Sequence, residues 1–150
     1  MVKREVINRF LSCSKIAVVG VSRTGKKFGN SAVRELRKKG YTVFPVNPNA
    51  DEIEGEKCFG NLNQLPEKVD AALVVVPPDE SVQVVKDAVF AGIKNIWLQQ
   101  GSESTEAIGY CNDNGIKVVY GQCILMFAEP AEFFHRAHRW VNRFTGKLPK

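Results

Sequence analysis

Residues 15–30 read KIAVVGVSRTGKKFGN, an apolar run followed at once by a glycine turn that is rich in hydroxyl and basic side chains. An apolar run of this length that stops sharply at glycine is typical of a buried strand in a parallel sheet. A glycine turn that joins such a strand to a helix is a common anion-binding element of doubly wound α/β folds. The stretch therefore indicates a fold class and the first place to look for a site.

The same alternation of β-rich and helical patterns continues through the rest of the chain. Further strands are expected at 41–47 (YTVFPVN), 70–76 (DAALVVV), 94–101 (KNIWLQQG) and 116–121 (IKVVYG). Apolar residues at helical spacing predict helices at 3–13, 31–39, 79–92 with Asp79 as its cap, and from Ser102 or Ser104 to Gly115. The turn-rich residues 48–68 predict one short extra strand and a helical turn in place of a crossover helix.

These elements predict an α/β protein with a Rossmann-like, doubly wound and mainly parallel five-stranded sheet with flanking helices. A proline near Glu129 and regularly spaced aromatic residues beyond it predict a C-terminal helix over 129–146. The 150 residues are expected to form a single domain. Ligands of such sheets lie at the carboxyl ends of the strands, so the loops at that edge are the candidate site.

Composition narrows the setting of the protein. No apolar stretch approaches the roughly 20 residues of a membrane span, and the charged N-terminal segment is unlike a secretion signal. Four cysteines stand far apart without a C-x-x-C pair, which argues against a zinc site or a disulfide framework. We therefore expect a cytoplasmic protein with no membrane partner. The formal charge of +5 suits a small polyanion as well as nucleic acid, and charge alone is a weak reason to expect nucleic-acid binding.

Residues 20–30 nearly match two familiar phosphate-binding motifs, but other residues that each motif requires are missing. A triphosphatase loop needs Ser or Thr after its glycine and lysine to ligate Mg²⁺, whereas Lys27 follows Lys26 here. A nicotinamide site expects an acid about 20 residues further on, at the end of the second strand, to hold the ribose hydroxyls. That strand ends instead in Asn47 and Pro48.

What remains is a glycine turn that carries hydroxyl and basic side chains and leads into a helix. Backbone N–H groups and the positive end of the helix favour a diphosphate, and the nearby cations could neutralise a further phosphate on a ribose. A ligand with a diphosphate, an adenosine and a ribose phosphate fits this pattern. A turn with exposed basic residues and no ligand is the alternative that the pattern leaves open.

Four stretches, in this order, resemble the small stand-alone CoA-binding proteins, whose domain is similar to the N-terminal CoA-binding domain of the succinyl-CoA synthetase alpha subunit. They are GVSRTGKKFGN (20–30), VFPVNPN (43–49), VVVPPDESVQVVKDAVFAGIKNIW (74–97) and NDNGIKVVYGQC (112–123). The resemblance implies coenzyme A, or an acyl-CoA, as the ligand. It does not imply synthetase chemistry, because the phosphohistidine of the synthetase lies in a second domain and this chain has no histidine in the matching region.

The resemblance also implies which residues contact the ligand. The phosphates would lie against four residues of the turn after the first strand: Gly20, Val21, Ser22 and Arg23. Lys26 is a further candidate for the ribose phosphate, and the hydroxyl pattern of the turn adds Thr24 as a ligand-binding residue. Residues after the second and third strands would flank the adenosine: Asn47, Pro48, Val76 and Pro77. The loop after the fourth strand would face the pantetheine arm through Gln100 and Gly101. Cys123, after the fifth strand at the same edge, is a candidate contact for the CoA thiol.

No complete catalytic constellation or metal site stands out in the sequence. The only two histidines, His135 and His138, lack the i, i+4 spacing of a helical metal pair and an evident third ligand. We therefore expect a binding, carrier or regulatory protein that holds CoA. Two alternatives stay open: a small enzyme or enzyme component that acts on acyl-CoA thioesters with a partner, and a regulator that senses NAD(H). A homo-oligomer or an acyl-CoA enzyme is the expected kind of protein partner.

Overall fold

The structure, a computed structural model, describes residues 2–127. Four helices flank the sheet: α1 (Arg4–Leu11), α2 (Phe28–Lys38), α3 (Pro78–Phe90) and α4 (Thr105–Asp113). The strands are β1 (Lys15–Val19), β2 (Thr42–Val46), β3 (Glu52–Ile53), β4 (Glu56–Lys57), β5 (Ala71–Val74), β6 (Asn95–Gln99) and β7 (Lys117–Gln122). Two short 3-10 turns cover Leu62–Gln64 and Ile124–Met126.

Five of the strands form one parallel sheet in the order β2–β1–β5–β6–β7, which confirms the Rossmann-like, doubly wound prediction. The chain leaves β1 toward β2 on one side and then passes back beyond β1 to β5 on the other. The carboxyl ends of β1 and β5 are therefore the switch point at which the connections leave in opposite directions.

Both faces of the sheet are covered by helices. Side chains alternate along β1, so Ile16 and Val18 lie in one core with α1 and α2, while Ala17 and Val19 lie in the other with α3 and α4. Four of the five residues of β1 are buried, as an apolar run without polar alternation predicts for a central strand. The packing fixes the carboxyl end of β1 in the middle of the molecule.

The segment between β2 and β5 differs from the prediction of one short strand and a helical turn. The helical turn is present at Leu62–Gln64, but β3 and β4 form a two-stranded antiparallel hairpin. Glu54 and Gly55 form its two-residue turn with positive φ values of 52° and 81°. Glutamate is unusual in such a turn, so the hairpin could not be predicted from the sequence.

Two predicted helix starts were also wrong. α2 begins at Phe28, three residues before the predicted start, with extended backbone at Lys27. Pro77 rather than Asp79 occupies the N-cap of α3, Pro78 fills the first helical position, and Asp79 lies in the first turn. The predicted helix over 129–146, with His135 and His138, lies outside the described residues. Within residues 2–127, no helix is long and apolar enough to cross a membrane.

Candidate functional site

The loop between β1 and α2, residues 20–27, is named the glycine loop and begins at the switch point. The N–H of Gly20 donates to the carbonyl of Val46 at 3.3 Å, and the N–H of Val75 donates to the carbonyl of Val19 at 2.7 Å. Gly20 has a φ of 116°, and a Cβ at this position would collide with the carbonyl of Val75. Only glycine therefore fits where the loop leaves the sheet.

Asn30, in the first turn of α2, holds the glycine loop from below. Its Oδ1 accepts from the N–H of Ser22 and its Nδ2 donates to the carbonyl of Ser22, both at 2.9 Å. The residue is 1% exposed, so both polar ends of a buried amide are satisfied by one residue of the loop. Gly29 lets α2 approach closely, because a Cβ there would lie 2.7 Å from the carbonyl oxygen of Gly20.

The hydroxyls of the loop organise its own backbone. The Oγ of Ser22 lies 2.9 Å from the Oγ1 of Thr24 and accepts from the Thr24 N–H at 3.2 Å. The N–H of Gly25 donates to the Ser22 carbonyl at 3.2 Å. Ser22 and Thr24 thus set the shape of the turn through contacts within the loop.

The end of the loop carries positive charge. Arg23, Lys26 and Lys27 are exposed, and none of them takes part in an ion pair found within residues 2–127. Lys27 is the N-cap of α2 without a side-chain hydrogen bond, and the first turn contains no acidic residue. Basic side chains and the uncapped N-terminus of a helix together favour an anion.

Asn47 connects the end of β2 to the same loop. Its Nδ2 donates to the carbonyl of Val21 at 2.8 Å, and its Oδ1 accepts from the N–H of Asn49 at 2.7 Å. The predicted residues Val21, Ser22 and Asn47 are therefore joined to one another through backbone contacts. The polar groups of these residues stabilise the loop, because they are used in hydrogen bonds within the protein.

A cleft of about 450 Å³ opens beside this point, between the ends of β1 and β2 and the first turns of α3. Val19, Val46 and Pro48 form part of its apolar wall. Three acidic residues of α3 also line it: Asp79, Glu80 and Asp87. Val76 and Pro77 do not line the cleft, but they lead directly from β5 into the helix that does.

The remaining predicted residues lie farther along the same edge of the sheet. Gln100 is exposed and Gly101, with a φ of 98°, turns the chain after β6. Gln99 pairs with Gln122 across β6 and β7 and accepts from the N–H of Ile124 through its Oε1 at 3.2 Å, which places Cys123 beside this turn. Three strand spacings separate β7 from β1, or about 14 Å.

The four cysteines differ in their surroundings, and all are free thiols. Burial raises the pKa of the Cys13 and Cys58 thiols and raises that of Cys111 to about 12. Cys123 is partly exposed at the carboxyl edge of the sheet, whereas Cys13 precedes β1 at the opposite edge. Within residues 2–127, no three His, Cys, Asp or Glu side chains are grouped to hold a metal ion.

Two residues of the site were not found from the sequence. Asn30 sits where the helix was expected only to begin, and no pattern distinguishes a buried amide from a solvated one. Glu54, on the β3–β4 hairpin, pairs with Arg34 of α2 through its Oε1 at 2.6 Å, and the same oxygen would lie 2.8 Å from a Cβ added at Gly25 of the glycine loop. A hairpin-borne carboxylate more than 25 residues after the loop has no local sequence signal.

Comparisons with known proteins show the family to which the chain belongs. A family model described as a CoA binding domain matches residues 14–129. The ADP-forming acetate–CoA ligase II of Archaeoglobus fulgidus is 36% identical over 93 residues, which cover 61% of this chain and 14% of the ligase. The alpha subunit of the ADP-forming acetate–CoA ligase II of Pyrococcus furiosus is 25% identical over 130 residues, 79% of this chain and 28% of the subunit.

A solved structure extends the likeness to most of another chain. A hypothetical protein from Pyrococcus furiosus matches with a TM-score of 0.69 at 46% identity, over 73% of this chain and 95% of that one. By contrast, the chain spans less than a third of the length of the two ligases.

Proposed function

The chain belongs to the family of CoA binding domains, and from that premise we propose that it binds coenzyme A or an acyl-CoA with the diphosphate on the glycine loop. The observation that carries the proposal is the loop itself. It is fixed at the switch point by Gly20, clamped from below by Asn30, and followed by an uncapped helix end with exposed cations. A preorganised turn of this kind avoids part of the entropy cost of ordering a loop around a ligand.

The residues fit the phosphates of CoA by charge as well as by shape. Ser22 and Thr24 shape the turn, and Gly20 and Gly29 allow backbone to approach backbone where a Cβ would not fit. Arg23 and Lys26 are the candidates for the ribose phosphate, since they are exposed at the end of the loop. A ligand without this phosphate would lose their contribution.

The adenosine is assigned to the cleft beside the glycine loop. Pro48 forms one wall of this cleft and Asn47 fixes the turn that carries it. Val76 and Pro77 lie outside the lining of the cleft. They would flank the adenosine only where its ring extends toward β5, and there they would offer flat apolar contact.

The pantetheine arm is assigned to the edge that runs from β1 to β7. Its chain of about 13 bonds between phosphorus and sulfur reaches about 15 Å when extended, close to the three strand spacings between the loop and β7. Gln100 and Gly101 lie on that path, and Cys123 would be near the thiol end. The thiol contact therefore requires a nearly extended arm.

We further propose that the chain acts by binding, as a carrier or regulator. The runner-up is a component of an enzyme that acts on acyl-CoA thioesters, because the relatives that are named as ligases are much longer than this chain and a partner could supply catalytic groups. Loss of the thioester absorbance of acetyl-CoA with the purified protein alone would favour a small enzyme that needs no partner. The cytoplasmic location and a homo-oligomer stay predictions.

Calorimetry tests the ligand assignment. We expect saturable binding of CoA, binding of dephospho-CoA weaker by about fivefold to tenfold, and still weaker binding of NADH and ATP, which lack both the ribose phosphate and the pantetheine arm. Lys26→Ala should reduce the difference between CoA and dephospho-CoA, because it removes a cation assigned to the ribose phosphate. Lys94→Ala, at the opposite edge of the sheet, is the matched control and should leave both affinities unchanged.

Three results would decide against parts of the proposal. Absence of CoA binding would exclude the function. Equal affinities for CoA and dephospho-CoA would remove Arg23 and Lys26 from the ribose phosphate. Tighter binding of NADH than of CoA would favour the regulator that senses NAD(H).

A further inference from the structure

A carboxylate lies against the glycine loop, where a phosphate-binding element would be expected to exclude one. Glu54, at the tip of the β3–β4 hairpin, has its Oε1 2.6 Å from the Nη1 of Arg34 on α2. A Cβ added at Gly25 would lie 2.8 Å from the same oxygen. One carboxylate oxygen therefore pairs with a guanidinium and lies close to Gly25 of the loop.

The backbone at Glu54 is held in an unfavourable conformation. Its φ is 52°, and it is the only non-glycine residue with positive φ within residues 2–127. Asn, Asp or Gly usually occupy this position of a two-residue hairpin turn, because other side chains crowd the backbone there. Such a conformation persists where surrounding contacts maintain it. Here the pairing of β3 with β4 flanks the turn, and the Glu54 side chain itself contacts Arg34.

Arg34 faces the glycine loop. It lies six residues into α2, and long helical side chains lean toward the N-terminus of their helix. A groove of about 290 Å³ between α2 and the hairpin is lined by Val21 and Asn30, the residues that form and clamp the loop. Two carboxylates of the hairpin and their arginine partners line the same groove: Glu54, Arg34, Glu56 and Arg37. An anion on the loop would therefore be near both the guanidinium and the competing carboxylate.

We propose that Glu54 is a built-in competitor for the phosphate of the ligand: its carboxylate occupies Arg34, and a phosphate bound on the glycine loop takes this guanidinium over as Glu54 turns to solvent. The proposal rests on the proposed function, since it needs a phosphorylated ligand on that loop. Carboxylate and phosphate compete because a guanidinium pairs with either in the same forked geometry. Glu54 thus lowers affinity and makes binding depend on movement of the hairpin tip.

The hairpin supplies a matched control. Glu56 pairs with Arg37, one turn further along α2, so the same hairpin is tied to the same helix by a second ion pair. Both pairs are partly exposed to a similar degree. They differ in position, because the three atoms nearest to a Cβ added at Gly25 all belong to Glu54. Removing the Glu56 charge tests loss of an ion pair without relief of repulsion at the loop.

Inorganic pyrophosphate is a suitable probe, because it presents a diphosphate without the rest of the ligand. Titrations followed by ¹⁵N amide shifts at low ionic strength should show about fivefold tighter binding to Glu54→Gln than to the unmodified protein, since one half-exposed charge is removed. Glu56→Gln should bind as the unmodified protein does. Glu54→Asn should share the gain and also suits the positive φ, which guards against a misfolded turn.

Equal or weaker pyrophosphate binding by both Glu54 variants would overturn the proposal. Adding Arg34→Gln to Glu54→Gln should abolish the gain, and a gain that survives this second change would overturn the transfer of Arg34. The same series with CoA separates this proposal from the proposed function. If the unmodified protein does not bind CoA but Glu54→Gln gains affinity for pyrophosphate, the function fails and the competitor stands. If all variants bind CoA and pyrophosphate equally, the function stands and the competitor fails.

Discussion

A single buried amide, that of Asn30, determines how the glycine loop sits on α2. It donates to and accepts from the backbone of Ser22, so its two polar atoms are satisfied inside the protein. An unsatisfied buried amide would cost about 1–3 kcal/mol, which ties formation of the loop to formation of the helix. The loop is therefore part of the folded core of the domain and can present a fixed backbone to a ligand.

Addition of a single methyl group at Gly20 is expected to destabilise the fold strongly. We expect Gly20→Ala to lower the free energy of unfolding by about 3 kcal/mol or more. The new Cβ would clash with the Val75 carbonyl, and alanine would also have to adopt the positive φ of this position. Gly40→Ala is the control, since Gly40 also has a positive φ, of 98°, with nothing within 4 Å of the added Cβ. It should cost about 1 kcal/mol. Urea titration measures both, and equal losses would show that Gly20 is not constrained by the neighbouring strand.

At the scale of elements, the sequence predicts order and type better than boundaries. The five strands and four described helices follow from apolar runs, helical spacing and glycine stops. The start of α2 could not be predicted, because glycine and asparagine are poor helix formers. Contact of Gly29 with the carbonyl of Gly20 and the amide bonds of Asn30 override that preference. The hairpin was missed for a similar reason, since Glu54 has the wrong propensity for its turn.

The packing of α4 against the sheet gives a prediction about pH. Burial raises the pKa of Cys111 from 9.0 to about 12, so the folded protein keeps this proton where the unfolded chain loses it. The resulting stability is fully present below pH 9 and is lost as the pH rises toward 12, at up to about 1.4 kcal/mol per pH unit. Cys111→Ala should make the fall in unfolding free energy between pH 9 and pH 10.5 less steep. An identical slope in both proteins would mean that the thiol ionises as readily in the folded state.

At the scale of the whole molecule, the parallel sheet brings distant parts of the chain to one edge. The sequence could place the glycine loop, the turn at Asn47 and the turn at Gln100 there, because all follow strands of the same direction. It could not show how far apart they are. The strand order separates the loop from Cys123 by three strand spacings. Glu54 comes close to the loop from the β3–β4 hairpin, which contributes no strand to the main sheet.

Amide chemical shifts of the ¹⁵N-labelled protein during titration with CoA test whether CoA binds on the glycine loop. We expect saturable shifts at the amides of Ser22, Gly25 and Gly29 and at Asn49 beside the cleft. The amides of Lys94 and Lys117, at the amino edge of the sheet, should not move. The absence of saturable shifts, or shifts confined to the amino edge, would show that CoA does not bind on the glycine loop.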